Sequence, residues 1–137
     1  MRYLICYDLS SRKEENMASE RIKFINHAGR DILFLNFVDC STDEVLRTID
    51  EAKQIIGNQP EASLLTLTDV TNARFNEVVT EHMKDFTTHN KPYVKAAAII
   101  GITGIKKIIF ESVMMFSRRK IHVFDNMNEA KDWLATN

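Results

Sequence analysis

From Glu20 onward the chain alternates between strand-like and helix-like stretches with little between them. This alternation constrains the fold more than any other feature. Strands separated by helices join one sheet as parallel neighbours, through right-handed crossovers. "RIKFI" alternates, with Ile22 and Phe24 on one face. His27-Ala28-Gly29-Arg30 supplies a turn in which Gly29 takes positive φ. "DILFLNFV" is apolar enough for a central strand. "STDEVLRTIDEAKQIIG" reads as a helix opened by a capping box of Ser41 and Glu44. Its inward stripe is Val45, Ile49, Ala52 and Ile56, and Gly57 ends it.

"SLLTLTDV" is the next strand. "NARFNEVVTEHMKDFTTHN" is the second helix, capped by Asn72 or Asn76 and stopped by Asn90 and Pro92. Its inward side is read as Phe75, Val78, Val79, His82 and Phe86, with His82 a packed histidine. "YVKAAAII" is apolar on both faces, and Ala96 to Ala98 admit close approach of helices. "GIKKIIFESVMMFS" is the third helix. At 100° per residue, Ile105, Ile108, Ile109, Val113 and Phe116 are expected to cover the sheet. Phe110 and Met114 then point nearly the opposite way and form a candidate interface patch. "IHVF" is a short last strand. "NMNEAKDWL" is the last helix, with Asn126 and Glu129 as a second capping box and Met127, Ala130 and Leu134 inward. Residues 1–16, including a strand-like "RYLICYDL", read as an extension to a domain of residues 17–137.

The chain's 137 residues suffice for one core. A net charge of −1 gives no global pull toward nucleic acid. The one basic cluster, Arg118-Arg119-Lys120, is read as completing a helix C-terminus. Cys6 and Cys40 stand far apart and argue for neither a disulfide framework nor zinc. No apolar stretch approaches the roughly 20 residues that span a bilayer. The start of the chain does not read as a signal peptide, so a cytoplasmic setting is expected.

Three aspartates, Asp39, Asp69 and Asp125, each follow a strand and precede a helix, with Thr103 completing the rim. Open parallel sheets bind ligands at this edge, near the point where strand order reverses. An acidic Mg²⁺ pocket receiving a phosphoryl group is one reading. It lacks the lysine such a pocket needs, since the late strand ends "HVFD". The other reading makes each aspartate an Asx-turn or cap, and leaves no metal and no cofactor. "GITGIKK" is neither a Walker A loop nor a dinucleotide fingerprint. Gly101 is read as a sharp corner, Thr103 as a helix cap and Gly104 as a close-packing glycine. A weak anion site at the N–H groups beyond Thr103, with Lys106 and Lys107 a turn away, is the secondary reading, and Asp69, Thr71, Asn72, Thr103, Gly104, Lys106 and Lys107 together make the candidate rim or anion site. No catalytic constellation appears, so the chain is expected not to be an enzyme.

"RIKFINHAGRDILFLNFVD", "LLTLTDVTNARF", "KPYVKAAAIIGITGIKKIIF" and "VFDNMNEAKDWL" together resemble the SpoIIAA-like proteins. These are bacterial relatives of the STAS domain of anti-sigma-factor antagonists, with a fold also likened to that of certain lipid carriers. The resemblance covers about residues 20–137. It implies an α/β fold: a mostly parallel sheet of five or six strands, one antiparallel edge strand, and helices on both faces. Antagonists present a phosphorylatable serine where this chain has "TDVTNARF". Thr71 is the nearest hydroxyl, and the serine and glycine of that motif are missing. The resemblance implies a non-enzymatic module binding a protein partner or a second copy. Through the lipid carriers it also implies a carrier of a small apolar ligand or lipid.

Overall fold

The computed structural model describes residues 20–137, so the extension, the strand at Arg2–Leu9 and Cys6 lie outside the described residues. Strands β1 (Ile22–His27) and β2 (Arg30–Asn36) form an antiparallel hairpin in which Ile22 faces Leu35 and His27 faces Arg30. Its two-residue turn holds both Ala28 and Gly29 at positive φ, 52° and 79°. That pairing matches the right-handed twist of the flanking strands.

Helix α1 (Thr42–Gly57) then leads to β3 (Leu64–Asp69), α2 (Glu77–Asn90) to β4 (Val94–Ile100), and α3 (Lys106–Ser117) to β5 (His122–Phe124). Helix α4 (Met127–Ala135) closes the described chain. Strands β2 to β5 are mutually parallel, as the alternation predicts. The sheet order is β1-β2-β3-β4-β5, so chain order never reverses across it. The binding edge expected at a reversal point therefore has no such point among the described strands.

Two apolar layers flank the sheet. On one side Leu33, Leu35, Phe37, Leu64 and Ile99 pack against α1, α2 and α3. On the other side Ile32, Leu65, Leu67, Ala98 and Ile100 pack against Ala130 and Leu134 of α4. The capping box of α1 is formed, with Ser41 Oγ accepting from Glu44 N and Ser41 N donating to Glu44. Val45, Ile49, Ala52 and Ile56 are all buried. Asn76, not Asn72, caps α2 by accepting from Val79 N. Asn126 caps α4 in the same way through Glu129 N.

Two helix faces differ from the periodic reading. In α2 the inward residues are Val79, Met83, Phe86, Thr87 and Asn90. Val78 and His82 are exposed, because the helix turns the stripe of Val79, Met83 and Phe86 toward the sheet. His82 is thus a surface residue whose Nδ1 meets Val78 O at 2.9 Å. In α3, Val113 and Ser117 are buried, while Phe110 and Met114 pack half-buried against the core. Ile105, Ile108 and Phe116 are turned outward instead. The helix is rotated from the expected phase, so the patch assigned to Phe110 and Met114 is not the exposed one.

Ala28 carries a side chain at a positive φ that asparagine and glycine adopt more readily. Ala28→Asn, which creates the preferred turn dipeptide before Gly29, is expected to stabilise the protein by about 0.5–1 kcal/mol. Urea denaturation should show a higher midpoint at unchanged slope. An unchanged or lower midpoint would mean that the turn is not limiting.

Candidate functional site

The C-terminal ends of the strands are tied together by backbone hydrogen bonds. Phe37 N donates to Asp69 O at 2.8 Å, Asp39 N to Thr71 O at 3.0 Å, and Val70 N to Ile100 O at 3.0 Å. The buried carboxylate of Asp69 accepts from Thr71 N at 2.9 Å and from Thr71 Oγ1 at 2.6 Å through the same oxygen. That is an Asx-turn, the structural role expected of it. Gly101 crosses directly over this turn at φ +90°, and a Cβ there would stand 2.5 Å from Thr71 N. Only glycine fits the crossing, so Gly101 is the corner that clamps the β4 end onto the β3 end.

These strand ends border a rim cleft of about 250 Å³ that brings together Thr71, Asn72, Gly101, Thr103, Phe124 and Asp125. Asp39 does not border it, and Asp69 is turned to its own loop. Among the described residues, no three His, Cys, Asp or Glu side chains are grouped to hold a metal ion.

The start of α3 differs from the expected anion cradle. Its N-cap is Ile105, with no side-chain cap, so Thr103 does not cap the helix. Gly104 has open space around its Cβ position and serves the turn through its φ of +59°, not close packing. Lys106 N donates to Thr103 O, Lys107 N to Gly104 O and Ile108 N to Ile105 O. This tightened first turn uses the N–H groups that an anion would need. Lys107 is exposed, whereas Lys106 lies along the underside of the helix.

That underside is the second feature of the site. Between the sheet, α2 and α3 lies an apolar cavity of about 70 Å³. Phe110 and Met114, placed outward by the periodic reading, line it. Thr66 and Thr68 point into it from β3. Sequence reasoning missed them, although the signal was present: hydroxyl residues two apart on the helix-facing side of a central strand. Arg118 takes a left-handed conformation, φ 56°, and turns Arg119 inward. Arg119 Nη1 donates to Thr87 O at 3.0 Å, in the last turn of α2. Of the basic cluster, Arg119 thus serves the C-terminal end of α2 and not that of the helix it follows. Burial lowers the pKa of Arg119 from the usual guanidinium value. Burial also pushes the Cys40 thiol up, which keeps it protonated and poorly nucleophilic.

The remaining histidines have structural contacts. His27 Nε2 meets Asp132 Oδ1 at 2.7 Å, His89 Nδ1 meets Asn90 Oδ1 at 2.9 Å, and the His122 ring stands 4.2 Å from that of Trp133.

Among solved structures, the chain is similar to an uncharacterized protein from the DUF3478 family with a SpoIIAA-like fold, from Shewanella loihica PV-4. The two are 15% identical, the match covers 82% of this chain and 91% of the other, and the TM-score is 0.64. No protein-family model and no curated protein matches. The fold is SpoIIAA-like: a five-stranded mixed sheet with one antiparallel pair and four described helices.

Gly101→Ala is expected to cost about 2–4 kcal/mol, from the strained φ and the collision with the Thr71 backbone. Gly29→Ala, also at positive φ but in open space, should cost only about 1 kcal/mol. Equal losses for the two in urea denaturation would refute the clamp.

Proposed function

We propose that this chain is a non-enzymatic, SpoIIAA-like binding module that acts through a protein contact made by the outer face of α3. One observation carries the reading. Ile105 is 73% exposed, Ile108 69%, Met115 81% and Phe116 62%. On a helix these four fall within an arc of about 100°, a single stripe. Single exposed apolar residues are common, but a contiguous stripe of large ones marks an interaction surface. Lys84 Nζ sits 5.5 Å from the Phe116 ring centroid, which adds a cation at the edge of the stripe.

Burying the four side chains contributes on the order of 4–8 kcal/mol. Association costs about 4–15 kcal/mol, so the stripe alone supports only a weak complex. A second copy of the chain is the simplest partner, since a stripe can meet its own image across a two-fold axis. The absence of a nucleophile–base pair in the sequence and the inert, buried Cys40 support a non-enzymatic role. Thr71 donates its hydroxyl to Asp69, which supports a structural corner over a phosphorylation switch.

A carrier of a small apolar ligand is the second reading. The cavity beneath α3 favours it, because side chains from both the sheet and the helix leave space between them.

Ile108→Lys with Phe116→Ser should leave the fold intact and abolish concentration-dependent self-association in sedimentation. Phe110→Ser with Met114→Lys should instead destabilise the protein, by roughly 3–5 kcal/mol for two core truncations. A wild type that stays monomeric at high concentration, with the stripe variant indistinguishable from it, would sink the second-copy contact.

A further inference from the structure

The cavity beneath α3 has a one-sided chemistry. Its floor is the neighbouring pair Thr66 and Ala97, which face each other across β3 and β4. Neighbouring floor positions hold Leu35 and Ile99, so the floor dips where the side chains are small. Phe86, Phe110 and Met114 help to wall it. None of the described lining residues is acidic, and two of them are cations. Lys106 enters at the start of α3 and Arg119 just past its end.

Arg119 is the more informative of the two. Its backbone N donates to Ser117 Oγ, its guanidinium makes one hydrogen bond, to the Thr87 carbonyl, and among the described residues that guanidinium meets no carboxylate. A guanidinium carries five donors in a fixed fork. Burying it without an anion costs free energy that a bound carboxylate would recover. The Thr66 and Thr68 hydroxyls also make no hydrogen bond among the described residues. Among the described residues the cavity therefore offers donors, an apolar body and no negative charge.

Size limits the ligand further. A water needs about 10–15 Å³ measured in this way, and a benzene-sized engineered cavity is about 150 Å³. At about 70 Å³ the space suits a short aliphatic chain and is too small for a long acyl chain. We infer that the cavity binds a short-chain monocarboxylate, its carboxylate on the Arg119 fork and its chain over Ala97 beneath α3. This inference rests on the carrier reading and specifies its ligand.

The test is calorimetry of the full chain with butyrate, its neutral counterpart 1-butanol, and decanoate. Butyrate should bind saturably and about tenfold more tightly than 1-butanol, the difference expected from one charge-assisted pair. Arg119→Gln should remove that preference and leave 1-butanol binding unchanged. Ala97→Val, which fills the floor, should abolish butyrate binding while the circular dichroism spectrum is kept. Equal binding of butyrate and 1-butanol, or butyrate binding indifferent to Arg119→Gln, would overturn the carboxylate inference while the carrier reading stands. Butyrate binding that survives Ala97→Val would place it elsewhere and overturn the inference. Decanoate binding more tightly than butyrate would overturn the short-chain limit. No saturable binding of any of the three would remove both the inference and the carrier reading.

Discussion

Three crossovers between parallel neighbours step across this sheet in one direction, and the rest of the structure follows from that. Because the strand order is β1-β2-β3-β4-β5, each crossover helix lies on the same face as the one before it. Helices α1, α2 and α3 therefore share one apolar layer, and the opposite layer is left to α4. The last of the three is the least supported. It lies toward the β5 edge, and β5 is only three residues long, His122–Phe124. Helix α3 thus places two side chains in full burial, Val113 and Ser117, where α1 places five. The exposed stripe and the unfilled space beneath are two consequences of a helix set at a short sheet edge.

The anchoring of α3 is unequal at its two ends. At its start the N-cap is Ile105, with no side-chain cap, and the chain arrives through two positive-φ glycines, Gly101 and Gly104. At its end Ser117 Oγ bonds back to Val113 O, and Arg119 reaches the last turn of α2. The C-terminal end is tied to its neighbour through a charged donor, and the N-terminal end is held by backbone turns. A hydrogen bond from a charged donor contributes about 1.5–3 kcal/mol, more than the neutral turn bonds at the other end. Any displacement of α3 is accordingly easier at Ile105 than at Arg119. Lys106, at the easier end, moves with it.

What was legible in the sequence depended on contrast. In α1 the apolar stripe of Val45, Ile49, Ala52 and Ile56 alternates with charges, so its phase could be read, and the Ser41–Glu44 box marked its start. In α3 seven of the twelve residues from Lys106 to Ser117 are large and apolar. Periodicity then has no polar face to set the phase, and Phe110 and Met114 were placed outward although they pack inward. In α2, Val78 and His82 were misplaced for a related reason: Val79 and Met83 offered an equally good stripe, and packing chose it. The rim corner was legible because glycine at a strand end and aspartate before threonine have local causes. The cavity was not. It arises where Thr66 and Ala97 come side by side, and that register is a property of the assembled sheet.

One helix carrying both surfaces has a thermodynamic consequence. The outer stripe and the inner cavity are opposite sides of α3, so an occupant of either acts on the position of the same element. Under the proposed carrier reading, a chain filling the space over Ala97 would support Phe110 and Met114 from below and fix where Ile108 and Phe116 stand above. If ligand and partner favour the same position of α3, each raises the affinity of the other by the same factor. If they favour different positions, each lowers it equally. No relay of side chains through the core is needed, because the rigid element itself connects the two sites. The short β5 edge leaves α3 underpacked, and that makes this helix the element on which the proposed ligand and the proposed partner would meet.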